Sequence, residues 1–379
     1  MLTPEQVSAL RDAAGQVAEP VVDYLIADIA RRVAGAGQLT STAAYQVWRA
    51  QQLELSQKEL KKELRKLLKV SHRDLRKLLT QSAEVGYNFD LNNLPYVQAL
   101  PFAKNESIQQ IVSAAVKMAQ DDFTNITQTL GMVDPFGNAI PLQGAYRKSM
   151  DYAFEQVFTG AADYNTAIRR ATANLAKHGI RTIDYESGVH TSLEAAVRRN
   201  IMGGLGLMQE QISQYNHDTL GADGWEISAH ANSAPDHEPI QGKQYSDTEY
   251  QTLNGALQRR IGTLNCGHAS FPIILGVSSP QYTDEQLIAF RKGNQDGTTY
   301  QGKHYTGYEA TQQQRALERA IRAQKRRVLI TNETTDKERQ QTAKTRLTLL
   351  NQEYRRFSNA AGLRTERERA QVAGFGRAA

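Results

Sequence analysis

The sequence predicts a mainly α protein with a small α+β module: long N-terminal helices, a compact central mixed module and C-terminal helices. Two observations carry that reading. Apolar residues recur at three- and four-residue spacing along most of the 379-residue chain, which is the period of an amphipathic helix. Between Trp225 and Pro272 the period breaks, and Pro235, Pro239, Gly242, Gly262 and Gly267 punctuate a stretch unsuited to a long helix. The same stretch holds three of the eight histidines and the sole cysteine, so the unusual chemistry gathers where the helices stop.

The bulk numbers set limits. A net charge of +5 and a pI near 9.1 come from 45 basic against 40 acidic residues, a mixed surface that permits contact with a polyanion without imposing it. One cysteine excludes an internal disulfide and suits a reducing cytoplasm. The start Met1-Leu2-Thr3-Pro4-Glu5 lacks the form of a signal peptide, and no apolar run approaches the ~20 residues that cross a bilayer. The expectation is a soluble protein with no need of a membrane.

In chain order, Thr3-Pro4-Glu5-Gln6 has the form of a capped helix start, with a helix to about Ala18. Pro20 interrupts, and Val22, Ile26, Ile29 and Val33 mark a second helix stopped by Gly35 and Gly37. Thr40 to Glu84 is the longest helical pattern, with a joint expected at Ser71-His72-Arg73-Asp74, where Ser71 and Asp74 offer a new cap. Leu60, Leu64, Leu67, Leu75 and Leu78 form its apolar stripe. Around the stripe lies the strongest local excess of positive charge, from Lys58 to Lys77. It reads either as a solvated helix face or as a nucleic-acid surface built on Lys61, Lys62, Arg65, Lys66 and Lys69. No aromatic residues are interleaved with these charges, so the contact would be with phosphates and independent of sequence.

Asn105 to Leu130 and Gln143 to Phe158 read as further helices, separated by a turn-rich loop with Gly131, Asp134-Pro135, Gly137 and Pro141 that suggests a hinge. Asp163 caps a helix ending at Gly179, and Ile180 to Asp184 is β-prone. Thr191 or Ser192 caps the next helix, which runs to about Tyr215. Gly203, Gly204 and Gly206 within it cost roughly 1 kcal/mol each relative to alanine, so they imply close packing or a bend. Thr283-Asp284-Glu285-Gln286 has capping-box form. Gln301-Gly302-Lys303-His304-Tyr305-Thr306 echoes Gln241-Gly242-Lys243-Gln244-Tyr245-Ser246, as two similar turns or hairpin edges would. Helix returns from Tyr308 to Phe357, carrying a second basic cluster at Lys325-Arg326-Arg327, and the final residues suggest a mobile tail. The expected organisation is a helical docking region over residues 1–160, an α+β module over 161–290, and C-terminal helices with a tail over 291–379.

His230, His237, Cys266 and His268 form a candidate zinc set. Imidazole and thiolate are the usual zinc donors, and a structural site gathers four of them in a tetrahedron. Cys266 and His268 could chelate from one turn, while His230 and His237 need Pro235 to bend the loop back, with Asp236 or Glu238 as acceptors for a ring N–H. The same residues admit a hydrolase reading, zinc-dependent or with Cys266 as nucleophile, although the sequence does not bring them together into a catalytic constellation.

Several stretches together resemble the phage minor capsid protein 2 family, which is related to Mu-type head morphogenesis proteins. They are Ile183-Asp184-Tyr185-Glu186-Ser187-Gly188 with Glu194-Ala195-Ala196-Val197-Arg198-Arg199; Ser228-Ala229-His230, Asp236-His237 and Gln241-Gly242-Lys243; Asn265-Cys266-Gly267-His268 with Pro272 and Gly276; and Leu317-Glu318-Arg319 through Lys325-Arg326. The likeness covers about residues 180 to 330. It departs from the family pattern at Ala234 and Gly267, where relatives usually carry arginine. The resemblance implies a virion component inside the phage head, associated with the portal protein and the inner capsid shell. It would be made in the host cytoplasm, lie against packaged double-stranded DNA, and act in head assembly and DNA packaging or delivery.

Overall fold

The structure is a computed structural model that describes residues 10, 13–14, 17–94, 98–134, 136–183, 190–262, 266–332, 337–372 and 375. Its elements are α1 (Glu19–Ala36), α2 (Thr42–Asn93), α3 (Glu106–Gln128), β1 (Leu130–Val133), β2 (Ala139–Pro141), α4 (Leu142–Phe158), α5 (Tyr164–His178), β3 (Arg181–Ile183), β4 (His190–Ser192) and α6 (Leu193–Leu220). After these come β5 (Gly224–Ile227), β6 (Gln244–Ser246), α7 (Asp247–Ala256), β7 (Ser270–Ile273), α8 (Asp284–Asp296), β8 (Thr298–Tyr300), β9 (Lys303–Tyr305), α9 (Gly307–Asn332) and α10 (Lys337–Ala360). The chain is mainly α with small antiparallel sheets, as its periodicity predicts. The capped start at Thr3-Pro4-Glu5-Gln6 lies outside the described residues.

α1 begins with Pro20 in its first turn and buries Val22, Leu25, Ile26, Ile29 and Val33. Its inner face also holds a carboxylate. Asp28, 1 % exposed, accepts from Arg32 Nε at 2.9 Å and from the Tyr146 hydroxyl at 2.8 Å, while Arg32 reaches on to Glu59 at 2.7 Å. One satisfied polar network thus ties α1, α2 and α4 together across an apolar core, where an unpaired charge would cost several kcal/mol.

α2 runs unbroken for 52 residues from its Ser41 cap. The expected joint at Ser71-Asp74 does not form. Ser71 is buried and its hydroxyl donates to the Val17 carbonyl at 3.2 Å, so tertiary packing recruits the side chain that a new cap would have needed. Beyond it Leu75, Leu79, Ala83 and Tyr87 pack into the main core with Ile108, Val112, Phe123, Val197, Ile201 and Ile212.

The turn-rich segment after α3 forms a β-hairpin where a hinge was expected. Asp134 Oδ1 accepts from the backbone N–H groups of Phe136 and Asn138, both at 2.9 Å. The hairpin extends into a four-stranded sheet of order β2-β1-β3-β4, in which Thr182 stands opposite Leu130 and Thr191. Asp163 and Ser192 cap α5 and α6 as anticipated. Of the three glycines in α6, only Gly206 meets another backbone: a Cβ there would stand 1.7 Å from the Gly262 carbonyl oxygen, whereas Gly203 and Gly204 face open space.

A three-stranded sheet of order β6-β5-β7 places Trp225 between Tyr245 and Pro272. Trp225 stacks on His217 and Tyr250 at 4.9 and 5.2 Å between ring centres. The Gln-Gly-Lys echo has a common structural content. Gly242 and Gly302 both adopt positive φ, a short strand follows each, and then Ser246 pairs with Glu249, and Thr306 with Glu309, in reciprocal backbone contacts at the start of a helix.

α9 and α10 lie against each other. Beyond α10 the chain folds back instead of trailing away. Tyr354 donates to Glu318 at 3.0 Å and accepts from the Glu366 backbone at 2.8 Å, Gln314 donates to the Arg364 carbonyl at 2.9 Å, and Ala370 and Val372 are buried. The expectation of a mobile tail is therefore corrected for residues 361–372.

Candidate metal centre

The site is built by the two loops that flank the three-stranded sheet. After β5, Ser228 continues the ladder by donating to the Ala269 carbonyl at 2.8 Å, and Ala269 donates back to Ser228 Oγ at 2.9 Å. The chain then makes a compact turn, in which the N–H groups of His237 and Glu238 both reach the Ala234 carbonyl at 2.9 Å, and closes where Gly242 donates to Ile227 at 2.8 Å. That turn swings His237 inward. Cys266 and His268 arrive from the other side, just before β7.

The structure brings three of the four predicted ligands together. His237 Nδ1 lies 3.3 Å from His268 Nδ1 and 3.4 Å from Cys266 Sγ, and Cys266 Sγ lies 3.6 Å from His268 Nδ1. The two histidines are 2 % and 4 % exposed. His230 stands beside this group: its ring stacks on His268 at 4.3 Å between centres, and its Nδ1 faces the Ala231 carbonyl at 2.8 Å.

The outer ring nitrogens decide the tautomers. His237 Nε2 lies 2.9 Å from the Arg259 carbonyl, an acceptor only, so the ring carries its hydrogen there. His268 Nε2 lies 2.9 Å from Gln241 Oε1, and that oxygen is identified as an acceptor because the His230 backbone N–H also donates to it at 3.1 Å. Both rings therefore turn Nδ1 lone pairs toward each other and toward the sulfur, with the thiol proton to share among them. A cation at the centre resolves the crowding of lone pairs, and a His-Cys-His cluster of this form can hold a metal ion.

The electrostatics agree. Burial would push the Cys266 thiol up, but the contact with His237 and the backbone N–H groups of His268 and Gly262 hold it below the usual thiol range. Burial likewise opposes charge on His237, yet the neighbouring sulfur, the Arg259 carbonyl and Asp236 raise it above the ordinary imidazole value. The two shifts run in the direction that eases loss of the thiol proton, and the thiolate is the form in which sulfur ligates a metal.

Of the two expected acceptors for a ring N–H, Asp236 stands 3.7 Å from His237 Nε2, beyond hydrogen-bond length, and Glu238 is engaged elsewhere. Asp236 pairs with the Arg259 guanidinium at 3.0 Å, and Glu238 accepts from Asn294 at 3.1 Å. The direct hydrogen bonds from the ring N–H groups go to the Arg259 carbonyl and Gln241, with Asp236 adding its charge beside His237. Gln241 was visible in the Gln-Gly-Lys run, but a backbone carbonyl leaves no trace in a residue pattern. Cys266 and His268 also border a small cavity of about 70 Å³, whose other walls include Asp90 on α2 and Gly206, Glu210 and Ser213 on α6.

The predicted DNA-binding residues lie together on α2. Lys61, Lys62, Arg65, Lys66 and Lys69 are all exposed, and Lys66 pairs with Glu63 at 2.9 Å. The second basic cluster is split: Arg327 is exposed, but Lys325 and Arg326 are buried and turn toward α1, where Glu19 faces both and Asp23 faces Arg326.

A model of the phage minor capsid protein 2 family matches residues 2–359. The chain belongs to that family. The match reaches well beyond residues 180 to 330, so the N-terminal helices of this phage minor capsid protein are part of the family pattern too. No curated protein and no solved structure matches the chain. Membership assigns the minor capsid protein to the virion, and among the described residues no helix is long and apolar enough to cross a membrane.

Proposed function

We propose that the protein is a portal-associated minor head protein, made in the host cytoplasm and enclosed in the phage head, where it acts in head assembly and in DNA packaging or delivery. The observation that carries this reading is the family match over nearly the whole chain. Docking falls to the N-terminal helices and their hairpin. Phe136 at the hairpin turn is 89 % exposed, and Val47 on α2 and Phe158 at the end of α4 are 61 % and 49 % exposed, as suits a surface that meets the portal or the inner shell. The basic face of α2 supports non-specific contact with duplex DNA. Cross-linking mass spectrometry on purified particles tests the assignment: cross-links from Lys61, Lys62 or Lys148 to portal subunits are expected, and links to tail or outer-shell proteins alone would sink it.

His237, Cys266 and His268 hold zinc in this reading. A tetrahedral zinc with arms of about 2.0 Å to nitrogen and 2.3 Å to sulfur separates its donors by roughly 3.3 Å for two nitrogens and roughly 3.6 Å for nitrogen and sulfur. The spacings of 3.3, 3.4 and 3.6 Å fit that figure. The zinc would brace the loops on either side of β5, and its binding energy would be folding energy for the module. Purified protein is expected to carry close to one zinc per chain and to lose melting temperature on chelation; metal-free protein with a Cys266→Ser variant of unchanged melting temperature would remove the site.

A further inference from the structure

A second cleft, of about 420 Å³, opens between α5, α9 and α10, and it shares no residue with the metal centre or with the basic face of α2. Its volume lies within the roughly 300–1,000 Å³ usual for ligand sites. α5 and α10 each turn one stripe toward it: Arg169 and Thr172 on α5, Arg339 and Arg346 on α10, with Arg327 projecting from α9. Residues three, four and seven apart share a helix face, so Arg339 and Arg346 stand two turns apart on one side of the opening. The floor is apolar and pinned. Ile330, Ala343 and Ala176 are buried there, and Gln324 on α9 donates to the Ala343 carbonyl of α10 at 3.0 Å.

The charge of the cleft is one-sided. Among the described residues no carboxylate lines it. Arg169, Arg327 and Arg346 are exposed and make no hydrogen bond or ion pair with any described residue. The apolar contacts beneath therefore hold three uncompensated guanidinium groups around one opening, against their mutual repulsion. Guanidinium forks match phosphate oxygens two at a time and are less strongly hydrated than ammonium groups. Among the described residues the lining has no aromatic ring to stack a base and no acidic group to grip a sugar hydroxyl, so phosphate is the part of a nucleotide chain that these residues are equipped to recognise.

We propose that this arginine cleft binds the phosphate groups of a nucleic-acid backbone, independently of the basic face of α2. The inference does not depend on portal association or on zinc, and its test separates it from the α2 surface. Fluorescence anisotropy with the full-length protein measures binding to a short duplex DNA over a range of salt, with inorganic tripolyphosphate as competitor. The variant is Arg169→Gln/Arg327→Gln/Arg346→Gln, matched by a control of equal charge change on remote exposed residues, Arg291→Gln/Lys292→Gln/Lys303→Gln. Each phosphate neutralised contributes about 0.9 to the slope of log affinity against log salt, so the cleft variant is expected to bind at least about tenfold more weakly at low salt with a slope smaller by roughly 2 to 3, while the control changes little. Replacing the three arginines with lysine keeps the charge but not the fork, and intermediate affinity is expected. An unchanged slope in the cleft variant, or an equal loss in the control, would overturn the proposal. So would tripolyphosphate binding that needs the cleft while duplex binding does not, because the site would then belong to a small polyphosphate.

Discussion

Gln241 carries more of the metal centre than its amide suggests. One oxygen accepts from the ring of His268 and from the backbone of His230, which fixes the tautomer of one ligand and the position of the histidine stacked upon it. Gln241→Leu is expected to lower zinc affinity about 10- to 100-fold, as loss of a partner behind a metal ligand generally does; competition with a zinc chelator measures it, and unaltered affinity would show that the tautomer is held by other means. A second residue sets a pH dependence. Asp90 is fully enclosed, and burial raises it to about 6 although Ser213 and Asn216 both donate to it. The folded protein therefore holds this proton more tightly than the unfolded chain, and the charge opposes folding by about 3 kcal/mol once pH exceeds 6. Melting temperature should rise as pH falls from 6 toward 4 through this group, and Asp90→Asn should remove that part of the slope. Side chains of this kind were hard to foresee. The ligand types His237, Cys266 and His268 could be read from composition and spacing, but Asp90 is one acidic residue on a long helix, and only the packing of α6 across it isolates it from water.

At the level of elements, helix starts were the most legible feature. Ser192, Thr283 and Asp163 announce themselves because a cap is local chemistry, settled within four residues. The supposed break in α2 had the same local signal and failed because a long-range bond from Ser71 to Val17 outcompeted it. The hairpin β1–β2 was read as a hinge because turn chemistry shows where the chain reverses but not whether the flanking residues pair. Two predictions belong here. Gly206→Ala places a methyl group against the Gly262 carbonyl, so α6 or the loop must move; the expected loss is about 1–3 kcal/mol in denaturant unfolding, and a neutral result would mean that the contact relaxes freely. On α2, changing Lys61, Lys62, Arg65, Lys66 and Lys69 to glutamine should weaken non-specific duplex binding and flatten its salt dependence by up to about 4 units of slope. Equal binding by the two proteins would make this face a solvated one.

Across the whole molecule, the N-terminal and C-terminal helices are joined by a cluster of charges under cover. Burial raises Glu19 at the start of α1 to about 7, against the pull of Arg322, Arg326 and Lys325 on α9. An unfolded glutamate titrates near 4.5, so this group favours the folded state increasingly as pH falls from 7 toward 4.5. Glu19→Gln should therefore flatten the melting curve over that range, and an unaltered profile would show that the basic neighbours, and not the carboxyl, set it. The joining of the two ends was not legible from the sequence, because residues 19 and 322 are matched only by the packing of α9 on α1. Another long-range effect comes from α2. Between Lys61 and Asn93 the helix has no joint, and at 1.5 Å per residue that length is roughly 48 Å. Its far end is fastened to the three-stranded sheet and the segment after it, with Phe89 edge-on to Phe271 at 5.1 Å and Asn93 accepting from Gln281 at 2.9 Å and from Ser278 at 3.1 Å. α2 is thus a ruler. Whatever rests on its basic end stands at a set distance and angle from the loops that carry His237, Cys266 and His268, and a change of one helical turn in its length would alter that spacing by a fixed step while leaving both ends intact.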